Sequence, residues 1–400
     1  MIFNRKTAST LVLASTILMT VGCSKDDTPE PIVATPVPGT TTPTTTPTPT
    51  PTPNYPIPAT YAFVDGAGAS NVSFGGQQQR LEMLSEMVTY MKTANTAGVA
   101  ISATTLKDMY ANNAYSWADS PGLGMTGSSK QLKSKTAAGD VGVQTMFENY
   151  MDSLALFSNG STSNAAQTYG VSGVWTNGVK NYLMAGNGYE YTQIIEKGLM
   201  CAIFMNQMTN NYLQSVGSDD NTTIATGKNY TAMQHHWDEA YGYFTSEFDF
   251  PTNGTNRFWG KYSDGRENVL GSATKIATAF RTGRAAIDNQ DYTVRDAQIA
   301  IIVDEIDKVC AGTAIHYLNG AKANIADATI KNHELSEARA FINGLRYGQK
   351  SISGTGMSAS EVDTALGYVA DFANVTISDL NAAIDLIASK TGLTSVKATL

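Results

Sequence analysis

Proline is distributed very unevenly along this chain of 400 residues. Eleven of the 13 prolines lie between Pro29 and Pro58, and the remaining two are Pro121 and Pro251. Because proline breaks helices, a long stretch with so few prolines favours long helices. The proline-rich segment otherwise consists mostly of Thr, a composition that cannot form a hydrophobic core. The sequence therefore divides into an extended Thr/Pro spacer and a helix-compatible body.

Apolar residues in the body recur with gaps of three and four, which is the period of an amphipathic helix. The stripe formed by Met233, Trp237, Tyr241 and Phe244 is the clearest example, and no stretch has a convincing strand alternation. The sequence thus predicts an all-α fold. The predicted helices lie near 77–97, 103–113, 140–158, 189–216, 229–248, 268–289, 292–323, 329–347, 359–372 and 378–391. Gly-, Ser- and Asn-rich loops are predicted at 119–139, 159–188, 217–228 and 249–267.

Three of the predicted helix starts carry capping residues. Asp291 precedes the helix that begins at residue 292, and Ser378 opens the last helix. Ser358 and Glu361 have the spacing of a capping box, in which each side chain accepts a hydrogen bond from the backbone N–H of the other residue.

The composition excludes several classes of protein. Hydrophobic residues make up 42% of the chain, enough for a sizeable core, and a net charge of −8 gives no electrostatic reason to bind nucleic acid. We therefore expect no nucleic-acid partner. Three cysteines are too few for a disulfide framework. Cys201 and Cys310 are predicted to be buried free thiols, and a disulfide between them stays open because their helices need not touch.

The first 22 residues have the order of a bacterial export signal. Arg5 and Lys6 precede an apolar run that ends at Val21 and is too short to span a bilayer. The segment Thr20-Val21-Gly22-Cys23 resembles a lipobox, although a lipobox usually begins with Leu. The resemblance implies that Cys23 becomes the N-terminus and carries acyl chains that anchor the protein in a membrane. An ordinary cleaved signal with an incidental cysteine is the alternative.

The residues after Cys23 predict where the body lies. Ser24-Lys25-Asp26-Asp27 is similar to the surface-export tag of some Gram-negative lipoproteins, and a solvated charge run is the alternative. We expect a lipid-anchored protein of the outer membrane that is exposed on the cell surface. The predicted organisation is a signal peptide at 1–22, an acylated and disordered Thr/Pro stalk at 23–59, and a helical body at 60–400.

A histidine-containing helix is the most informative segment of the body. His236 and Glu239 are three residues apart and share a helix face. A histidine and a carboxylate one turn apart can bind one metal ion or exchange a proton. The order is the reverse of the Glu-x-x-His used by ferritin-like bundles, and no second His follows as in zinc peptidases. The alternative is that His236 hydrogen-bonds a neighbouring helix in a packed core.

Two further histidines lie near one predicted helix turn. His316 is late in helix 292–323 and His333 is early in helix 329–347, so an antiparallel hairpin would place them at similar heights. Glu337 is one turn beyond His333. We predict that these side chains converge with the histidine helix into a nitrogen and oxygen shell suited to iron or zinc. That predicted shell is His236, Glu239, His316, His333 and Glu337. Alternatively, His333 is solvated and His316 lies in the core.

The histidine helix also carries a family resemblance. His236-x-x-Glu239 resembles the Gly-x-His-x-x-Glu motif of the imelysin-like proteins, with Gln234 at the position of the motif's Gly. The string His-His-Trp-Asp-Glu-Ala-Tyr-Gly-Tyr-Phe at 235–244 is similar to a lipoprotein branch of that group, as is His-Glu-Leu-Ser-Glu-Ala at 333–338. The resemblance covers 60–395. It implies two helical bundles side by side, the motif near the groove between them, a link to iron acquisition, and an old label as a peptidase.

These features lead to three expectations about function. The first is a protein that takes part in the binding or uptake of a metal, most simply iron, without catalysing a reaction. Its expected partner is an outer-membrane transport protein. The second is a surface module for glycans or proteins, in which the histidine motif is structural and loop aromatics such as Trp175 stack on sugars. The third is a metallopeptidase, which would require three protein ligands for a catalytic metal.

Overall fold

The computed structural model describes residues 52–118, 122–252, 254–349 and 356–400, which belong to one compact unit. The predicted signal peptide 1–22, the predicted lipidation site Cys23 and most of the predicted stalk lie outside the described residues. None of the helices in the described ranges combines the length and the apolar character needed to cross a membrane.

The described part of the chain is mostly helical, so the predicted all-α fold is confirmed. Each of the ten predicted helices has a counterpart, and the long helix predicted at 292–323 has those bounds. The helices are α1 Gly75–Thr93, α2 Ala103–Ala111, α3 Val141–Ser158, α4 Tyr191–Leu199, α5 Ala232–Phe244, α6 Phe258–Gly265, α7 Glu267–Leu270, α8 Ser272–Asp288, α9 Tyr292–Ala323, α10 Ala328–Gly344, α11 Ala359–Tyr368 and α12 Ile377–Thr391. Short 3₁₀ segments lie at Lys133–Gly139, Val216–Ser218 and Leu345–Tyr347.

Capping explains where several helices begin. Asp291 accepts a hydrogen bond from the backbone of Val294, and Ser358 with Glu361 forms the predicted capping box. The start of the last helix was predicted wrongly, because Thr376 rather than Ser378 is its N-cap. The helix begins after Thr376 because Asp379, three residues later, forms a capping box with it.

The helix predicted at 189–216 has an unusual middle. After α4 the chain continues as π-helical turns over Met200–Met205 and Gln207–Leu213 without leaving the helical conformation. We call Tyr191–Leu213 the central segment. It packs against α3 and α10 in its first half and against α5 in its second half. Both helices that carry the histidine motifs, α5 and α10, therefore rest on the same segment.

A small sheet occupies the region 159–188, which was predicted as a loop. Its strands are β1 Ser163–Asn164, β2 Gly173–Thr176 and β3 Asn181–Met184, with β1 parallel and β3 antiparallel to the central β2. Strands of two to four residues are too short to show an alternating pattern. Trp175 on β2 is fully buried and donates to the carbonyl of Val171, so its ring is not available to stack on a sugar.

Candidate functional site

The N-terminal end of α5 is fixed by a capping box. The Thr231 hydroxyl accepts from the backbone of Gln234, and the Gln234 side chain accepts from the backbone of Thr231 at 2.7 Å. The amide of Gln234 also donates to Asp288 at 2.7 Å. Gln234 therefore stabilises the start of α5 and joins this helix to α8.

One face of α5 is part of the core. Trp237 is fully buried and its indole N–H donates to the carbonyl of Phe280 at 3.0 Å. Its ring lies against Gly283 of α8, where a Cβ would come within 2.1 Å of the ring. Gly242 likewise allows Phe74 to approach closely. These motif residues pack the helix in place and do not face solvent.

A buried ion pair joins α5 to α8. Asp238 and Arg284 have fully buried side chains, and the guanidinium Nε lies 3.1 Å from the Asp238 carboxylate. The Tyr61 hydroxyl donates to the same carboxylate at 2.8 Å, and the backbone N–H of Ser73 donates to it at 3.0 Å. The pair thus holds the segment before α1 against α5, which brings the carbonyl of Ser73 next to the histidines.

His235 lies on the polar face of α5 and is held by its surroundings. Its Nδ1 is 3.0 Å from the carbonyl oxygen of Ser73, and its ring stacks on Tyr230. A carbonyl only accepts, so Nδ1 carries the proton. Burial lowers the pKa of His235, which favours the neutral ring with a lone pair on Nε2. That Nε2 lies 3.9 Å from the Oε2 of Glu239.

The Glu239 carboxylate is positioned by side chains from two other elements. The amide of Gln77 on α1 donates to Oε1 at 2.8 Å, and the Tyr212 hydroxyl of the central segment lies close to the same carboxylate. We call His235, Glu239, Gln77, Tyr212 and Ser73 the histidine-helix cluster. The side chains of its two titratable members, His235 and Glu239, are 31% and 18% exposed, so solvent reaches both.

His236 does not make the predicted pair with Glu239. Its Nδ1 is 2.8 Å from Oδ2 of Asp219, in the loop that precedes α5. The histidine that faces Glu239 is His235, four residues before it, because the carbonyl of Ser73 fixes that ring. Both spacings share a helix face, so the sequence alone does not distinguish them.

His333 and Glu337 do lie together, as predicted. His333 Nδ1–H donates to Glu190 at 2.6 Å, its Nε2 lies 3.4 Å from Glu337, and its ring stacks on Tyr182. We call Glu190, His333 and Glu337 the His333 cluster. Burial alone would lower the pKa of His333, but the two carboxylates outweigh it and raise the pKa. Glu190, which was not among the predicted site residues, precedes α4 and is fully buried.

The His333 cluster continues into an ion-pair network. Lys197 Nζ lies 4.0 Å from Glu337 and 2.7 Å from Glu196, and the Tyr262 hydroxyl donates to Glu337 at 3.5 Å. Burial raises the pKa of the neighbouring Glu334 to about 7. The carboxylates of this network are therefore paired with the side chains of Lys197 and His333.

His316 lies apart from the contacts of both clusters. Its ring is next to Tyr317 and lies near the backbone of Leu400. Burial, helped by the charge of Arg266, lowers its pKa. The five residues of the predicted shell are therefore divided among different surroundings. Within the described ranges, no three or more His, Cys, Asp or Glu side chains are grouped in a way that would hold a metal ion.

The two clusters share a sequence pattern that was not part of the site prediction. His235 to Ala240 and His333 to Ala338 both read His-x-x-x-Glu-Ala. In each, Nδ1 of the histidine is bonded to an oxygen and Nε2 faces the glutamate one turn later. Aligning these two hexapeptides would have pointed to His235 rather than His236.

The histidines should titrate in opposite directions. We expect His333 to titrate above its usual pKa of 6.5, and His235 and His316 below it. Because the folded-state pKa of His333 is raised, its charge interactions stabilise the protein fully below pH 6.5 and are lost as the pH rises through the folded-state pKa. NMR of the imidazole resonances measures this, and Glu190→Gln should lower the pKa of His333 alone. Titration of all three near 6.5 would contradict the assignment.

Comparison with known proteins gives a family match. A family model described as a domain of unknown function, DUF4856, matches residues 58–392. No curated protein and no solved structure matches the chain. The matched range contains both His-x-x-x-Glu-Ala motifs and begins two residues before the predicted start of the body at residue 60.

Proposed function

We propose a function for this chain, which belongs to the DUF4856 family: it is a lipid-anchored envelope protein that binds a metal ion without catalysing a reaction. The proposed ligands are His235 and Glu239, and iron is the proposed metal. Zinc, which also accepts nitrogen and oxygen ligands, is the competing ion.

One observation carries this proposal. The Nε2 lone pair of neutral His235 and the Oε2 of Glu239 face each other across 3.9 Å. Both atoms are hydrogen-bond acceptors in these protonation states, so they do not stabilise each other directly. A cation between them satisfies both, and small side-chain movements bring each to the 2.0–2.2 Å typical of such metal–ligand bonds.

The surroundings of the two ligands support the same assignment. Metal-binding histidines usually donate their other ring N–H to a carbonyl or carboxylate, and metal-binding carboxylates are themselves hydrogen-bonded. His235 donates to the carbonyl of Ser73, and Glu239 accepts from the amide of Gln77. Two protein ligands leave several coordination positions for water or for an oxygen-rich chelator that delivers the metal, which suits binding better than catalysis.

The location and the partner are proposed from the sequence. The lipobox-like segment at Cys23 supports a membrane anchor, and the Thr/Pro stretch supports a spacer between the membrane and the body. The resemblance to imelysin-like proteins supports a link to iron acquisition on the outer-membrane surface. We accordingly propose an outer-membrane transport protein as the partner that receives the metal.

The test is metal-dependent stability of the full chain. Thermal melts with iron(II), iron(III), zinc and EDTA, together with metal analysis, are run on wild type, His235→Ala and His236→Ala. A metal at 100 times its Kd should stabilise the wild type by about 2.7 kcal/mol, and EDTA should reverse this. His236→Ala is the matched control, because this neighbouring side chain contacts Asp219 instead.

The outcomes separate the two histidines. We expect the stabilisation to vanish in His235→Ala and to persist in His236→Ala. If the wild type shows no shift with any of the ions, the histidine-helix cluster is structural. If the shift disappears in His236→Ala and remains in His235→Ala, the ligand assignment is wrong.

A further inference from the structure

Cys201 and Cys310 come from distant parts of the chain and meet in the core. Cys201 lies in the π-helical part of the central segment and Cys310 in the middle of α9. Both are fully buried free thiols in the structure, as predicted. The side chain of Cys201 is close enough to interact with the thiol of Cys310. The question left open by the sequence, whether these helices bring the cysteines into contact, is thereby answered.

Gly344 of α10 gives an independent measure of how close the sulfurs are. A Cβ placed on this glycine would lie 2.4 Å from the Sγ of Cys201 and 3.5 Å from the Sγ of Cys310. Both sulfur atoms therefore border one small space that exists because residue 344 has no side chain. The thiol of Cys310 also donates to the carbonyl of Phe341, one turn earlier on α10.

We propose that Cys201 and Cys310 are joined by a disulfide bond in the exported protein. The proposal rests on the export that is part of the proposed function, because disulfides persist in oxidising compartments outside the cytoplasm. No other cysteine of the mature chain competes, since the thiol of Cys23 would carry an acyl chain. The body therefore has one possible intramolecular pairing.

The chemistry is thiol–disulfide exchange with a protein disulfide of the cell envelope. The thiolate of one cysteine attacks a sulfur of the oxidant and forms a mixed disulfide, and the second thiolate then displaces the oxidant. Two electrons pass to the oxidant, which leaves as a dithiol that takes up the two protons lost by Cys201 and Cys310. Both thiols are fully buried in the folded protein, so the oxidant must reach them before the core closes.

The bond would connect segments that lie 109 positions apart in the sequence. Crosslinks that close long loops restrict the unfolded chain most strongly, and removing one lowers the melting temperature. For a body of this size we expect the reductant to lower the melting temperature by about 5 °C.

The experiment counts thiols in the full chain isolated from the envelope of the producing bacterium. The chain is unfolded in the presence of an alkylating reagent, with and without prior reduction, and its mass is measured. We expect no label without reduction and two labels after it. Melting with and without reductant is compared with Cys201→Ala/Cys310→Ala, whose melting temperature should not respond to reductant.

The mass also reports processing at Cys23, which separates the possible failures. A processed, envelope-bound chain with two free thiols overturns the disulfide and leaves the anchor standing. An unprocessed chain with Met1 in place overturns the export on which the proposal rests. The thiol count needs no variant, so misfolding of the double variant would not change its result.

Discussion

Replacing Arg284 with leucine is expected to destabilise the protein by about 3–5 kcal/mol. The substitution leaves the Asp238 carboxylate buried without the guanidinium that lies 3.1 Å away, and neither side chain has contact with solvent. The substitution also removes the hydrogen bond from the Arg284 guanidinium to the side chain of Asn71, which joins the segment before α1 to α8. The free energy of unfolding from urea titrations measures the loss.

Two further variants test whether the unpaired charge is the cause. Arg281→Leu, on the same helix, removes a guanidinium that donates to the Thr278 hydroxyl near the surface, and should cost less than about 1 kcal/mol. Asp238→Asn added to Arg284→Leu removes the orphaned charge and should recover part of the stability. Equal losses for Arg281→Leu and Arg284→Leu, or no recovery in the double variant, would contradict this explanation.

Gly283→Ala should produce the second large effect, a destabilisation of about 3 kcal/mol. The added Cβ would lie 2.1 Å from the ring of Trp237, closer than any real contact allows. The ring has little freedom to move away, because it is fully buried and its N–H is bonded to the carbonyl of Phe280. Relief therefore requires α5 and α8 to separate, which disturbs the core between them.

Gly367→Ala is the matched control for this substitution. Gly367 also lies within a helix, α11, but its added Cβ would have no atom within 4 Å. The same chemical change should there stabilise the protein by about 0.5–1 kcal/mol, because alanine has the higher helix propensity. If chemical denaturation gave similar stabilities for both variants, the contact between Gly283 and Trp237 would not limit packing.

Much of the fold was predictable because the body's hydrophobic period is regular. The regular spacing of apolar residues predicts α9, and the capping residue Asp291 predicts where this helix begins. α6 was missed because it has eight residues and begins at Phe258 with a left-handed backbone angle of φ 48°, next to Gly-, Asn- and Thr-rich sequence. The π-helical turns were not predictable because the central segment is buried on nearly every side, so a change of helical period leaves no amphipathic pattern in the sequence.

The candidate site was predictable only in part. The sequence identified α5, Glu239, His333 and Glu337, which follow from helical spacing within one element. It selected His236 because it had no access to the carbonyl of Ser73, which lies 162 positions from His235 and fixes that ring. Glu190 was missed for the same reason, since it reaches His333 from an element 143 positions away. Contacts between distant elements decide which nitrogen faces which oxygen.

The π-helical turns of the central segment also affect the rotation of its side chains about the helix axis. Lys197, before these turns, reaches Glu337 in the His333 cluster, and Tyr212, within them, reaches Glu239 in the histidine-helix cluster. Each residue added to or removed from an α-helix rotates everything beyond it by about 100°. The π-helical turns therefore change the rotation about the axis of the central segment. They determine the direction in which the side chains at its C-terminal end point relative to those at its N-terminal end.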